Sequence, residues 1–458
     1  MRYESRRGKG GLILFFLLLL AGAGGGYYVL KSPVFEKKPP VIELQKKLVT
    51  NLKKPIKIKV SDNLGLKRVR VLVTDGKTIL GKKVYEFDKP VKEKIIDVAF
   101  PTFRVVRDSQ KLIVAVEAKD ASKWNWFKGN TKFSKAVVFV DKKPPELYPI
   151  VSSYGITKGG SAVVVFKADD ENIKKVYIKT NFGKRFVPTP FYKKGYYISL
   201  IAWPVEEKKF SSVLVVEDKA GNKSKYLLDF YLKNKRYKNS KIKLKKSFLE
   251  GKITDLLTVV AEDKLSLPLE KRFKYINETL RKENEDKISS VTEATDTDLI
   301  EDFDIKPFYP LKNAAAVASF GDHRFYYFNG KEISTSYHLG LDLASTSQAD
   351  IVASNKGKVV FAEFNGIYGN NLILSHGLGL YSLYGHCSAI YVKEGDGVKE
   401  GEVVAKTGKT GLALGDHLHF GILVQGIEVR PDEWIDKKWI KTNITDVIKR
   451  AKRVIDKR

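Results

Sequence analysis

Residues 11–30 read GLILFFLLLLAGAGGGYYVL and carry no charged side chain. About 20 apolar residues are what a helix needs to cross the hydrocarbon of a bilayer. Only helices and closed barrels satisfy their own backbone there. The run is therefore expected to form one transmembrane helix, and a single such run excludes a polytopic transporter. Arg2, Arg6, Arg7 and Lys9 precede it. Basic flanks stay in the cytoplasm, so the bulk of the chain is expected outside it, on the periplasmic side of a cell envelope. Tyr27 and Tyr28 suit the outer interface. A cleaved signal peptide is the alternative, with Ala21-Gly22-Ala23 resembling a cleavage site. Both readings export everything after Lys31, which removes nucleic acid as a natural partner. Peptidoglycan, acidic glycans and lipid headgroups remain.

The charge is unevenly spread. Residues 316–440 hold 11 Lys/Arg against 14 Asp/Glu, and residues 441–458 hold 7 against 2, so +27 of the formal +29 lies in the first 315 residues. A basic excess of this size attracts polyanionic surfaces and keeps a protein soluble. The single Cys excludes a disulfide framework and any Cys-based zinc cluster.

The organisation contains a repeat. KKPP occurs at 37–40 and again at 142–145. SDNLGLKRVRVLV follows the first copy and ADDENIKKVYIKT the second, each an acidic turn leading into alternation, Val69 and Val71 in one, Val176 and Ile178 in the other. Self-similarity at a spacing of about 100 residues means duplicated domains rather than short solenoid units. Each copy is expected to be a β-sandwich resembling bacterial immunoglobulin-like domains, repeat 1 over 37–141 and repeat 2 over 142–235. They are read as spacers, with binding of wall polymer or an envelope partner as the alternative. Over 236–310 the period becomes helical, with Leu269, Phe273, Ile276 and Leu280 on one face and Phe248, Ile253, Leu256 and Val260 on an earlier one. This region is expected to be a helical linker. Residues 441–458 form a short basic amphipathic helix that closes the chain.

All six histidines lie between His323 and His419. In HLHFGIL, strand alternation puts His417, His419 and Gly421 on one face and Leu418, Phe420 and Ile422 on the other, toward the core. In HLGLDLA, four residues of extended chain span ~13 Å, too far for His338 and Asp342 to meet one ion. The backbone is therefore expected to bend near Gly340, leaving His338 on a loop and Asp342 on the strand. SLYGHCS adds His386. Neutral imidazoles with one carboxylate suit Zn²⁺, and three protein ligands leave a position open. Of the five groups His338, Asp342, His386, His417 and His419, three can bind metal and two remain for proton chemistry. His323 and His376 are read as structural, and Cys387 as a small buried residue.

These motifs, with FGDHR, ASNKGKVVFA, GIYGNNLILSHGLGLYSLYGH and GDGVKEGEVVAKTGKTG, resemble the lysostaphin/LytM-type zinc metallopeptidases, which cut peptide cross-bridges of bacterial cell walls. The resemblance covers residues 320–434. It implies a compact antiparallel β-domain over 316–440 and one zinc held by His338, Asp342 and His419. It also implies that His386 and His417 flank the catalytic water, in an order the sequence leaves open. Cys387 and Gly421 depart from the usual pattern, and no Tyr is assigned beside the oxyanion. The expected whole is mainly β and multidomain: residues 1–31 a basic stub and anchor, two sandwiches, helices, peptidase, closing helix. The substrate implied is a stem or cross-bridge peptide, with a diaminopimelate-type link preferred to glycine bridges. The rival classes are a catalytically silent relative that activates a wall amidase and a structural envelope protein.

Overall fold

The computed structural model describes residues 9–100, 106 and 109–457; Arg2, Arg6 and Arg7 lie outside the described residues. The chain is mainly β and falls into two compact units. One comprises residues 1–144 with 219–222, and the other residues 145–218 with 223–458.

The first unit opens with the helix Lys9–Lys31. None of its apolar window is buried in protein, as the sequence of an apolar helix with no partner face dictates. The β strands that follow form one six-stranded sheet, in the order Val41–Glu43, Ile56–Thr74, Lys111–Asp120, Thr131–Val140, Lys47–Thr50, with Ile79–Val98 also paired to Ile56–Thr74. Its core is Ile58, Val60, Leu66, Val69, Val71, Val114 and Val116. The SDNLG segment, expected as a turn, is instead an irregularity inside a 19-residue strand. Asp62 Oδ1 accepts from the backbone N–H of Leu64 (2.9 Å) and Gly65 (2.8 Å). The side chain thus replaces lost ladder bonds, so the strand continues where an acidic cluster suggested it would stop.

In the second unit, residues from the second repeat form two four-stranded sheets. One orders Arg185–Phe186, Ile173–Thr180, Ser212–Asp218, Lys223–Leu228. The other orders Thr189–Pro190, Tyr196–Ala202, Ser161–Asp169, Glu146–Ser152. Phe166, Phe186, Leu200 and Val216 fill this region and join the same buried cluster as Leu418, Phe420 and Trp434 of the C-terminal domain. The contact is polar as well as apolar. Trp434 Nε1 donates to Ser161 Oγ (3.1 Å), and the buried Glu433 carboxylate accepts from Ser161 N (3.0 Å). This repeat is fused to the domain that follows it.

The C-terminal domain is built on an antiparallel sheet. Its path is Ala315–Ala318, Leu341–Ala344, Leu418–Val424, Leu380–Cys387, Asn370–Ser375, Gly357–Phe364, Gly397–Val398, with Ile427–Val429 beside Leu418–Val424. The sheet has two different faces. Leu418, Phe420, Ile422 and Tyr384 point into the cluster shared with the second repeat. Tyr381, Leu383 and Leu423 point the other way and are covered by Leu249, Ile253, Leu257, Phe273, Ile276 and Leu280. The residues expected as a helical linker are therefore a layer over the sheet, because their apolar stripe matches its second face. Residues 236–245 are not helical: Asn239–Lys243 is a strand, parallel to His323–Phe328. The closing helix Asp446–Asp456 buries Val447, Ile448, Ala451 and Ile455 and keeps its Lys and Arg outward.

Candidate metal centre

Register explains why these residues meet. Across three adjacent strands, Asp342 sits opposite His419, and His419 opposite Gly385. A strand pair places such side chains about 5 Å apart on one face. Asp342 and His419 therefore share the face that carries the helical layer, and His386 follows Gly385 at the end of its strand. His338 lies in the loop between the strands Lys331–Tyr337 and Leu341–Ala344, while Asp342 is on the second of them. The chain turns at Gly340, where an added Cβ would stand 2.5 Å from the His419 ring. Any other residue there would push His419 out of place.

The resulting distances are short. His338 Nε2 is 3.0 Å from Asp342 Oδ1 and 3.2 Å from His419 Nδ1, and His419 Nδ1 is 2.9 Å from Asp342 Oδ1. His417 Nε2 stands 3.7 Å from the same carboxylate oxygen. The His386 ring lies 4.8 Å from that of His417 and 5.8 Å from that of His419, centroid to centroid. All five residues selected from the sequence are together. His338, His386 and His419 are buried.

Backbone carbonyls assign the ring protons, because a carbonyl only accepts. His338 Nδ1 donates to Ser319 O (2.9 Å), His386 Nδ1 to Thr410 O (2.8 Å) and His417 Nδ1 to Gly415 O (2.8 Å). Each ring then presents Nε2 as a lone pair. Such a fixed outer hydrogen bond is how metal-binding imidazoles are oriented. His386 itself has φ 65°, in the left-handed region. A non-glycine residue held there is a strained position of the kind that gathers at functional sites.

Electrostatics point the same way. Burial pulls the His386 ring down to about 3, helped by the neighbouring His419 and His417. Burial also pulls His419 down to about 4, against the pull of Asp342. Burial would raise the Asp342 carboxyl, but the adjacent His338 and His419 rings outweigh it and hold the group below the ordinary carboxylate range. An ionised carboxylate thus faces His419, whose ring burial keeps neutral. Two imidazoles and one carboxylate, all within ligand reach of a common point, form a donor set that fits a divalent metal.

The site lies on a groove of about 1060 Å³. Lys243, Lys245, Arg281 and Arg324 line it together with Tyr368 and the five groups above. Tyr368 is buried and packs edge-on against His419, with ring centroids 5.4 Å apart. Sequence reading missed Tyr368, the basic wall and the three carbonyls. A carbonyl carries no residue-type signal, and the basic residues come from segments read as linker or turn. His323 stacks on Tyr337, with centroids 4.2 Å apart, and lies in a strand rather than a turn. His376 bonds Lys356 O (2.8 Å) and Ser382 Oγ (2.7 Å), away from the five. Cys387 is buried.

Residues 336–431 match the model of Peptidase family M23. The C-terminal domain belongs to this family. The M23 domain holds all five residues of the cluster. Among curated relatives, the DD-carboxypeptidase/endopeptidase Mpg of Neisseria meningitidis is 37% identical over 94 residues, which is 20% of this chain and 22% of Mpg. The peptidoglycan DD-endopeptidase ShyB of Vibrio cholerae is 36% identical over 88 residues, 19% of this chain and 21% of ShyB. The stage II sporulation protein Q of Bacillus subtilis is 35% identical over 106 residues, 22% of this chain and 38% of that protein. The chain therefore spans less than two-fifths of each of these relatives.

Proposed function

We propose that this chain is a membrane-tethered zinc endopeptidase that hydrolyses peptide cross-bridges of peptidoglycan. The observation that carries the reading is the meeting of His338 Nε2, His419 Nδ1 and Asp342 Oδ1 within 3.2 Å of one another, beside His386 and His417. The first three are assigned as ligands and the last two to proton chemistry. A zinc ion held by that set would supply Lewis-acid polarisation of a scissile carbonyl and would lower the pKa of a water to near 7. His386 and His417 each keep the proton on Nδ1, so each Nε2 accepts one. One of them takes the proton of the attacking water and returns it to solvent after turnover; the other, protonated from solvent beforehand, stabilises the tetrahedral oxyanion or gives its proton to the leaving amine. The basic side of the groove suits a stem peptide carrying carboxylates, which favours a diaminopimelate-type link over a glycine bridge. The likeness to the endopeptidases Mpg and ShyB supports the endopeptidase class.

The helix Lys9–Lys31 supports a membrane tether by length and composition. The β repeats are read as immunoglobulin-like spacers that carry the peptidase into the wall. A regulator without catalysis is the second reading, favoured by the likeness to a sporulation protein; the complete set of five groups speaks against it. Purified sacculi incubated with the full chain test the proposal. Cross-linked peptides should shorten to species with new free amines, and a chelator should stop this. Unchanged sacculi with zinc bound would overturn catalysis and favour the regulator.

A further inference from the structure

The first unit displays aromatic side chains in an unfavourable way for a water-facing loop. Between the strands Lys111–Asp120 and Thr131–Val140 the chain turns through Trp124–Phe127. Asn125, Trp126 and Phe127 all adopt left-handed backbone, with φ 52°, 55° and 63°. Non-glycine residues resist that conformation, and three in succession are costly. The strained turn holds Trp126 89% exposed and Phe127 71% exposed. In water this spends backbone strain to display apolar surface.

The turn is attached to the end of the apolar helix. The Phe127 ring lies 6.1 Å from that of Phe35, which lies 6.1 Å from that of Tyr28 in the helix's last turns. Lys123 N donates to Val34 O (2.8 Å), and Ser122 Oγ to Glu36 O (2.8 Å). Lys37 Nζ sits 4.4 Å from the centre of the Trp124 ring. Lys31, Lys37, Lys38, Lys123 and Lys128 are exposed around this patch. Residues 32–144 hold 27 Lys/Arg against 12 Asp/Glu.

We propose that the Trp124–Phe127 turn is a second membrane contact, which inserts Trp126 and Phe127 into the interface of the bilayer that the helix spans. The inference rests on the tether reading above. If the helix crosses the membrane, Tyr28 lies at the boundary, and the ring chain from Tyr28 to Phe127 brings the turn to the same depth. Tryptophan and its aromatic neighbours are favoured at that depth. Lysines beside them meet the phosphate groups, so the occupant is a phospholipid surface, preferentially an anionic one. The contact holds the first β-sheet against the membrane and converts a flexible tether into an oriented one.

The test uses the full chain in vesicles of phosphatidylcholine and phosphatidylglycerol, with or without bromine at a shallow acyl position. The apolar helix contains no tryptophan, and the chain's five are Trp124, Trp126, Trp203, Trp434 and Trp439, so bromine near the interface reads the turn. Wild-type emission should fall by about one-fifth or more, the share of one tryptophan in five, on brominated vesicles. Trp126→Ser should abolish most of that difference, and Phe127→Ser should reduce it with all tryptophans kept. A carbonate wash separates the two claims. Vesicle-retained protein with identical emission on both lipids overturns the turn contact, leaving the tether intact; docking of that turn on another protein would give this result. Protein released by the wash overturns the tether and the contact together.

Discussion

The first β unit and the M23 domain are made from similar alternating strands and do opposite things with their faces. The first sheet encloses an aliphatic core, and its surface is basic, with 27 Lys/Arg against 12 Asp/Glu over residues 32–144. It contains no histidine. The M23 sheet has apolar residues on both faces, one against the second repeat and one under the helical layer. On the latter face, at its edge, five titratable groups converge. The difference teaches that burying one sheet on both sides creates an edge where burial keeps His386 and His419 neutral. A sheet with an open charged surface holds lysines in water, where they act at long range and carry no catalytic group.

Four substitutions, three in the M23 domain and one in the helical layer that covers it, should break the comparison. His419→Ala removes one of the three donors and should abolish cross-bridge cleavage to background. His386→Ala and His417→Ala should each slow turnover by roughly 10²–10⁴-fold, the usual range for a positioned acid or base, with melting unchanged. Wild-type turnover in either would remove that residue from the proposed chemistry. Phe273→Ala empties a fully buried place beneath the site, where its ring lies 4.9 Å from that of Tyr326. It should cost about 3–5 kcal/mol in denaturant unfolding. A cost below 1 kcal/mol would mean the helical layer is an ornament rather than half of the fold.

The shared face of His417 and His419 was legible because period-2 alternation is a strong signal: HLHFGIL places His419 and Leu418 on opposite faces whatever the rest of the fold does. The bend at Gly340 followed from extended-chain length alone. The first repeat was less legible. Asp62 looks like a turn residue, yet its carboxylate caps two N–H groups within a continuous strand. Helical periodicity in residues 246–291 was visible, but an apolar stripe does not say which surface it covers. Ser319, Thr410 and Gly415 act through carbonyls that every residue has, so their part emerged only from the geometry.

A smaller effect sharpens the contrast through pH. Burial lowers His376 to about 4 from its ordinary 6.5. Between those values the unfolded chain binds a proton that the folded chain refuses. Stability from this group is present above pH 6.5 and is lost as pH falls toward 4. Glu433 acts in the opposite sense: burial pushes it up to about 7, so its contribution is lost as pH rises from 4.5 toward 7. His376→Gln should therefore flatten the acid side of the melting profile between pH 6.5 and 4. An unaltered acid limb would show that His376 does not titrate with unfolding.

The division of the five groups into ligands and proton carriers is tested most directly by elemental analysis of purified full-length variants. The prediction is one zinc per chain in the wild type, in His386→Ala and in His417→Ala, and a sharp loss in His338→Ala, Asp342→Ala and His419→Ala. Full zinc in His419→Ala, or its loss from His417→Ala, would contradict the assignment and exchange the roles of the two histidines on that strand.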